Sequence, residues 1–395
     1  MKVKSIQFKN HKVLKNLKID FLDKEGKILD LIVLAGSNGS GKTNVLEGIY
    51  NHLEKPNNYI DIALDIEYSE KEQQLDTQLH NNSPLYLKIL DHYKNNNQKI
   101  YSAIKKIYDK EEELPKIIYF PTEINFSKVD KADDKFSYSY QFFNKVESNL
   151  VKNIPSYLSS MVRMIQKQDE DLSYKEAKLA VATKVNEIFS DLDLNIKMIG
   201  FTKGIEDLPL FRNKQGEEFN INGLSSGEKQ LFVRALTLDM IHAENSIILI
   251  DEPEISLHPQ WQQKIINVYR NMGKNNQVII ATHSPHILSS VPKDSIKILE
   301  KTPKGIEILD CEENTYGQSM EVIFKDIMGM KTTINPNVFN DLEKIKSLIK
   351  EDKEDSEEFK NLYKKIRTIL GEDNENIILL KLELNYKKNM RKRGE

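Results

Sequence analysis

Four short stretches carry residue types at spacings that suit phosphate chemistry. The first is Gly36-Ser37-Asn38-Gly39-Ser40-Gly41-Lys42-Thr43, which fits G-x-x-x-x-G-K-[ST]. Glycines let a backbone wrap closely and turn its N–H groups toward phosphate oxygens, the lysine reaches the β- and γ-phosphates, and the threonine hydroxyl suits Mg²⁺. In the second, 246–253, an apolar run ends on adjacent carboxylates, Asp251 and Glu252. Asp251 suits a Mg²⁺ contact, direct or through water, and Glu252 suits orienting or deprotonating an attacking water. The third, 224–230, opens a helix with Ser225, Ser226, Gly227 and Glu228. Hydroxyls and free N–H groups at a helix start make an anion site. The same residues also form an ordinary N-cap, with Ser225 or Ser226 capping and Glu228 or Gln230 in the first turn. The fourth, 279–286, sets His283 just past an apolar run, where an imidazole can donate to a γ-phosphate or to the attacking water.

These residues need elements to hold them. The run 28–35 is nearly continuously apolar, the pattern of a strand buried on both faces, and a helical run over 43–53 follows the glycines. Segments 246–250 and 277–282 read as short buried strands, each preceded by a helix, over 226–243 and 259–272. Strand ends of an open α/β sheet share one edge, so Asp251 and His283 are expected together there. Strands are also expected at 3–9 and 17–21, with a hairpin over 295–300 and 305–310. Residues 55–200 are richer in Lys, Asn, Gln, Glu and Tyr. Helices are expected there at 83–93, 98–109 and 174–190, with one buried strand at 116–121 and a loop over 130–141. This region reads as a helical insertion or as a separate domain. The stretch from 316 is helical and charged, with helices at 316–329, 341–349, 357–370 and 377–385, an acidic knot at 351–358 and a basic end at 387–393.

Composition bounds the reading. At 395 residues, about two to three domains are expected. The 57 basic and 60 acidic residues exclude a wholly basic nucleic-acid coat and leave room only for a local basic patch. One cysteine, Cys311, excludes an internal disulfide framework and an all-cysteine zinc site. No apolar run approaches the ~18–20 residues of a membrane span, and no signal-peptide pattern opens the chain. A cytoplasmic protein without a membrane partner segment is the expectation.

The order and spacing of the four stretches resemble the ABC-type ATPases, specifically the soluble branch with the SMC and RecF groups and the overcoming-lysogenization-defect ATPases. GSNGSGKT resembles Walker A, LSSGEKQ the ABC signature, IILIDEPE Walker B and ATHSPHIL the H-loop, while Ser256-Leu257-His258-Pro259 resembles the D-loop. The resemblance implies an α/β fold, an ABC-type P-loop NTPase core over 1–55 and 200–315, with a mainly helical insertion over 56–199 and a helical C-terminal tail over 316–395. It implies ATP and Mg²⁺ as cofactors, with ATP on Gly36, Asn38, Gly39, Ser40, Gly41, Lys42, Thr43 and Asn44 and the metal on Thr43 and Asp251. Glu252 and His283 take the catalytic positions. It also implies a head-to-tail dimer or higher oligomer, in which Ser225, Ser226, Gly227 and Glu228 of one subunit cap the ATP of another. Serine at 226 departs from the glycine of many members. Gln141 is the candidate for the Q-loop glutamine, Lys12 for a basic residue after the first strand, and His258 for a D-loop contact.

About 180 residues separate Lys42 from Leu224, too few for a long SMC arm at ~1.5 Å per helical residue. About 110 residues follow His283 without an Asp-x-Asp, so no nuclease domain is expected in this chain. The C-terminal helices resemble those of small ABC ATPases of prokaryotic anti-phage systems, such as the Septu ATPase, which works with a separate HNH nuclease. The resemblance implies a nucleotide-gated switch acting on a separate nuclease or effector, with DNA or RNA contact confined to patches such as 387–393. Two alternatives stand beside it: a RecF-like DNA-binding repair ATPase, and a nucleotide-dependent scaffold of low turnover.

Overall fold

The computed structural model describes residues 1–395 except 60, 80–83, 90–97, 109, 125–130, 133–135, 137–139, 205 and 394–395. The described residues form two compact units, Met1–Ile323 and Phe324–Glu395. The helix expected over 83–93 and the loop over 130–141 lie partly outside the described residues.

The first unit opens with β1 (Lys2–Phe8), paired antiparallel with β2 (Lys18–Asp20) on one side and β4 (Ile62–Glu67) on the other. Val3, Ile6 and Phe8 are buried, the alternation of a half-covered antiparallel strand being shifted by one residue at the register break between Val3 and Ser5. Between β2 and β4 in sequence lies β3 (Leu31–Ala35), buried at every position. It sits in a seven-stranded sheet with β5 (Ile117–Phe120), β6 (Phe143–Lys145), β10 (Ile247–Asp251), β11 (Gln277–Ala281), β12 (Ile296–Thr302) and β13 (Gly305–Asp310). The order is β13-β12-β3-β11-β10-β5-β6, parallel throughout except for the β12–β13 hairpin. β3, β5, β10 and β11 are buried along their whole length, which explains why they read as unbroken apolar runs. Two strands of this sheet, β5 and β6, come from within 56–199. Gln277 is the buried polar exception in β11. Its amide accepts from Val3 N at 2.7 Å and donates to Val3 O at 2.9 Å, which pins the first sheet to the central one.

A third sheet, antiparallel, joins β7 (Ile196–Phe201), β8 (Pro209–Asn213) and β9 (Glu218–Asn220). It went unseen in the sequence because its strands are short and broken by polar residues. The helices that matter for the site are α1 (Lys42–Glu54), α2 (Ile154–Gln168), α3 (Tyr174–Ile188) and α4 (Ser226–Met240). α4 is buried on nearly all sides. Phe232 meets Phe211 of β8 at 5.1 Å between ring centroids and Phe189, at the end of α3, at 4.4 Å. The helix expected over 259–272 is two pieces, Pro259–Gln262 and Ile265–Asn271. The backbone tightens between them, where Lys264 N–H donates to the Trp261 carbonyl three residues back.

The described residues of the second unit follow a short π-helical turn, Ile323–Ile327, with α5 (Pro336–Lys350), α6 (Glu357–Leu370) and α7 (Glu375–Arg393). Leu342, Ile345, Ile349, Phe359, Ile366, Ile377 and Leu380 fill its core. Ser356 caps α6 by accepting from Phe359 N, and Gly371 at φ 85° ends it. In the acidic knot Glu351 is paired with Lys353 at 2.7 Å, an exposed pair of small energetic weight. Among the described residues no helix is long and apolar enough to cross a membrane.

Candidate functional site

The C-terminal ends of β3, β11, β10 and β5 lie side by side, and each delivers a polar group to the same edge. β3 runs into the glycine-rich loop, which α1 takes up at Lys42. Two glycines there are sterically required. Gly41 sits at φ 92°, and a side chain on it would collide with buried Leu14, while one on Gly36, at φ 145°, would collide with the Leu299 carbonyl. The loop is thus held between the 9–16 turn and β12. Lys42 is buried, its Nζ donating to Gly36 O at 2.9 Å and Ser37 O at 3.3 Å. Ser40 is fully buried and its hydroxyl has no partner, an orphaned polar atom inside the loop. Asn38 and Gly39 are exposed and Asn44 half-buried on the same segment.

The neighbouring strand ends close on Lys42 and Thr43. Thr43 Oγ1 lies 3.0 and 3.2 Å from the two oxygens of Asp251, which is 1% exposed. Lys42 Nζ donates to His283 Nε2 at 2.7 Å, which makes that nitrogen the acceptor of a neutral imidazole, and Glu252 Oε1 lies 3.5 Å from the same nitrogen. Glu252 itself adopts φ 44°, a left-handed conformation that costs a non-glycine residue about 1–2 kcal/mol. Its N–H is bonded to Ala281 O of β11 at 2.9 Å, which helps to hold the strained turn. Behind it Glu254 Oε1 accepts from Thr282 Oγ1 at 2.6 Å and from His283 N at 2.8 Å, fixing the start of the histidine loop.

The electrostatics follow from burial. Desolvation pushes Lys42 down to about 8, against the pull of Glu252, Asp251 and Glu254. Glu252 is raised above the usual carboxylate range by desolvation and by the neighbouring carboxylates Glu254 and Asp251. His283 is lowered by desolvation and by Lys42, so it is neutral near pH 7. The cluster therefore offers one cation, one neutral imidazole and a carboxylate tuned toward proton acceptance.

One member of the cluster had no expectation attached to it. Thr122, just past β5, donates from Oγ1 to Asp251 Oδ2 at 2.6 Å. The signal available in sequence was that the apolar run of β5 ends in a polar Thr-Glu pair, as β10 ends in Asp-Glu. Lys301 of β12 is a second addition: a Cβ on Gly39 would lie 3.8 Å from its Nζ. Gln141, by contrast, is not brought to this edge. It precedes β6, which runs parallel to β5, so it lies at the opposite, N-terminal end of the sheet, where its carbonyl accepts from Asn144. Lys12 is exposed in the 9–16 turn, two residues from the Leu14 that packs on Gly41. His258 caps the short helix Pro259–Gln262, its Nδ1 accepting from Gln260 N at 3.3 Å.

The signature segment is both a cap and an exposed surface. Ser225 and Glu228 form a reciprocal capping box, with Ser225 Oγ donating to Glu228 Oε2 at 2.6 Å and Ser225 N donating to it at 2.8 Å. Glu228 is thereby engaged within its own helix, while Ser225 and Ser226 remain exposed. Gly227 is buried against the Ser256 carbonyl, where any side chain would collide, so the start of α4 packs directly on the 256–259 turn.

Residues 31–289 match the family model described as "AAA domain, putative AbiEii toxin, Type IV TA system". The chain is 23% identical over 455 residues to the Retron Vc95 probable ATPase of Vibrio cholerae serotype O1 biovar El Tor, covering 92% of this chain and 86% of that protein. It is also 23% identical over 413 residues to Septu protein PtuA of Bacillus thuringiensis, covering 94% and 98%. Among solved structures, an SMC head bound to the C-winged helix domain of ScpA aligns with 15% identity and a TM-score of 0.45, covering 78% of this chain and 96% of that one.

Proposed function

The chain belongs to the AAA-domain family described as putative AbiEii toxin, Type IV TA system, and from that membership together with its ABC-like motifs we propose that it hydrolyses ATP at the Lys42–Glu252–His283 edge and uses the cycle as a switch in an anti-phage assembly. The observation that carries this is the convergence of Lys42, Thr43, Asp251, Glu252 and His283 at one sheet edge. ATP lies on the loop from Gly36 to Asn44, its phosphates facing the backbone N–H groups and the start of α1. Lys42 exchanges its bond to His283 for the β- and γ-phosphates, which lets the neutral imidazole shift its proton from Nδ1 to Nε2 and donate from Nε2 to the γ-phosphate. Glu252 takes a proton from water as the water oxygen bonds to the γ-phosphorus, and the bond to the β–γ bridging oxygen breaks to leave ADP. Thr43 and Asp251 present hard oxygen ligands with Thr122 orienting the carboxylate, a donor set that suits Mg²⁺. When bound there, the ion supplies charge neutralisation to the phosphates.

In the same reading the start of α4, with Ser225 and Ser226 exposed and Gly227 buried behind them, caps the γ-phosphate of a second copy, so ATP closes a head-to-tail dimer and hydrolysis reopens it. The retron and Septu names borne by the relatives support a defence role, and in this reading the switch drives a separate nuclease or effector. Glu252→Gln tests the proposal. The variant should bind ATP, lose turnover and accumulate as a dimer or larger species in mass photometry with ATP. Wild-type turnover in this variant would remove Glu252 from the mechanism, and a mass unchanged by ATP would remove the closing step.

A further inference from the structure

Arg234 lies in the third turn of α4, and it is the largest fully buried side chain of the described residues, at 1% exposure. A guanidinium so placed needs partners, since an unpaired buried charge is strongly destabilising. Its partners are informative. Nη1 faces the Glu252 carbonyl at 3.5 Å, and Nη2 faces the carbonyls of Pro121 and Thr122 at 3.4 Å each. One side chain from the signature helix therefore spans the turn that carries Glu252 and the end of β5 that carries Thr122. These contacts are long for charged donors, and Arg234 Nε has no partner. Glu254 Oε2 is likewise buried without a partner, although its other oxygen anchors Thr282 and His283. The guanidinium and the Glu254 carboxylate attract one another, and the fully buried Tyr269 hydroxyl interacts with the guanidinium. The network thus holds unused hydrogen-bonding capacity of opposite sign next to a strained catalytic turn.

We infer that Arg234 is a positioning residue, whose guanidinium locks the Glu252 turn and the end of β5 onto the signature helix so that the carboxylate is correctly aimed only when that helix is seated. The inference rests on the hydrolytic role of Glu252 proposed above. A rigid path then runs within one subunit, from the surface offered to a partner's ATP, through α4 and Arg234, to the subunit's own Glu252. Seating of α4 by a partner would draw the guanidinium onto its carbonyls and onto Glu254, and so complete the bonds left open. Among the described residues Arg234 makes no hydrogen bond to the glycine-rich loop or to Lys42, so nucleotide affinity should be insensitive to it.

The test uses the full chain in two forms. Arg234→Lys keeps the charge and removes the planar fork. Arg234→Gln removes the charge while keeping a planar donor, leaves Glu254 and its hold on the histidine loop untouched, and guards against misfolding of the first. Equilibrium binding of a fluorescent ATP analogue and steady-state turnover are measured for each folded variant. ATP affinity should stay within about twofold of wild type while kcat falls about 10- to 100-fold, the loss expected for a misaimed reacting group. Wild-type kcat in either folded variant would overturn the inference, as would a loss of ATP affinity equal to the loss of kcat. A wild-type chain that binds ATP without turning it over would instead overturn the hydrolytic reading on which it rests.

Discussion

The lowered Lys42 makes a prediction that separates free from nucleotide-bound protein. Burial holds its ammonium at about 8 against an ordinary 10.5. The cation that binds phosphate is therefore present below pH 8 and lost as pH rises through it. At pH 7 about nine in ten molecules carry the charge and at pH 9 about one in ten, so kcat/KM for ATP should fall about tenfold across that span. In the bound complex the triphosphate supplies negative charge beside Nζ and restores its proton, so kcat should stay nearly flat over the same range. Initial rates of phosphate release at pH 6.5–9.5, over a full ATP range at each pH, resolve the two profiles. Lys42→Arg, whose charge persists at all these values, should be weaker overall and lose the alkaline limb of kcat/KM. A kcat/KM that is flat from pH 7 to 9, or a kcat that falls in parallel with it, would refute the assignment of the buried ammonium to phosphate binding.

Thr122→Val removes the 2.6 Å bond that orients Asp251. It should raise the Mg²⁺ concentration for half-maximal turnover by about 10-fold, the usual scale for a residue behind a metal ligand; an unchanged Mg²⁺ titration would contradict the role given to Thr122. Gly227→Ala forces a methyl group onto the Ser256 carbonyl and should cost about 1–3 kcal/mol in denaturant unfolding, with turnover falling further than stability. Wild-type stability there would show that the 256–259 turn yields freely.

Much of the site was legible because its determinants are local. The glycine-rich loop announces itself by composition, and β3, β10 and β11 by apolar runs that end on Gly36, Asp251 and the 282–283 pair. The parts that escaped depend on which strands become neighbours. Thr122 matters only because β5 pairs with β10, and Gln141 falls away from the site because it opens β6 rather than closing β5. Arg234 was invisible for a different reason. Arginine on a helix ordinarily marks a solvated face, and only the packing of α4 between the third sheet and the Glu252 turn shows that this one is interior. The signature segment read two ways in sequence, as anion site and as cap. The structure shows the cap formed by Ser225 and Glu228, with the hydroxyl of Ser225 committed to it and Ser226 exposed beside it.

The central claim is that ATP is cleaved between two copies, with the loop of one and the signature of the other. It is tested most directly by mixing two inactive variants. Lys42→Ala removes phosphate binding, and Ser226→Glu sets a carboxylate against the partner's γ-phosphate while suiting the start of its own helix. Each variant alone should be inactive and folded. Their mixture should regain turnover, because a heterodimer rebuilds one site from an intact loop and an intact signature. A mixture that stays inactive while heterodimers are seen by mass photometry would contradict the account.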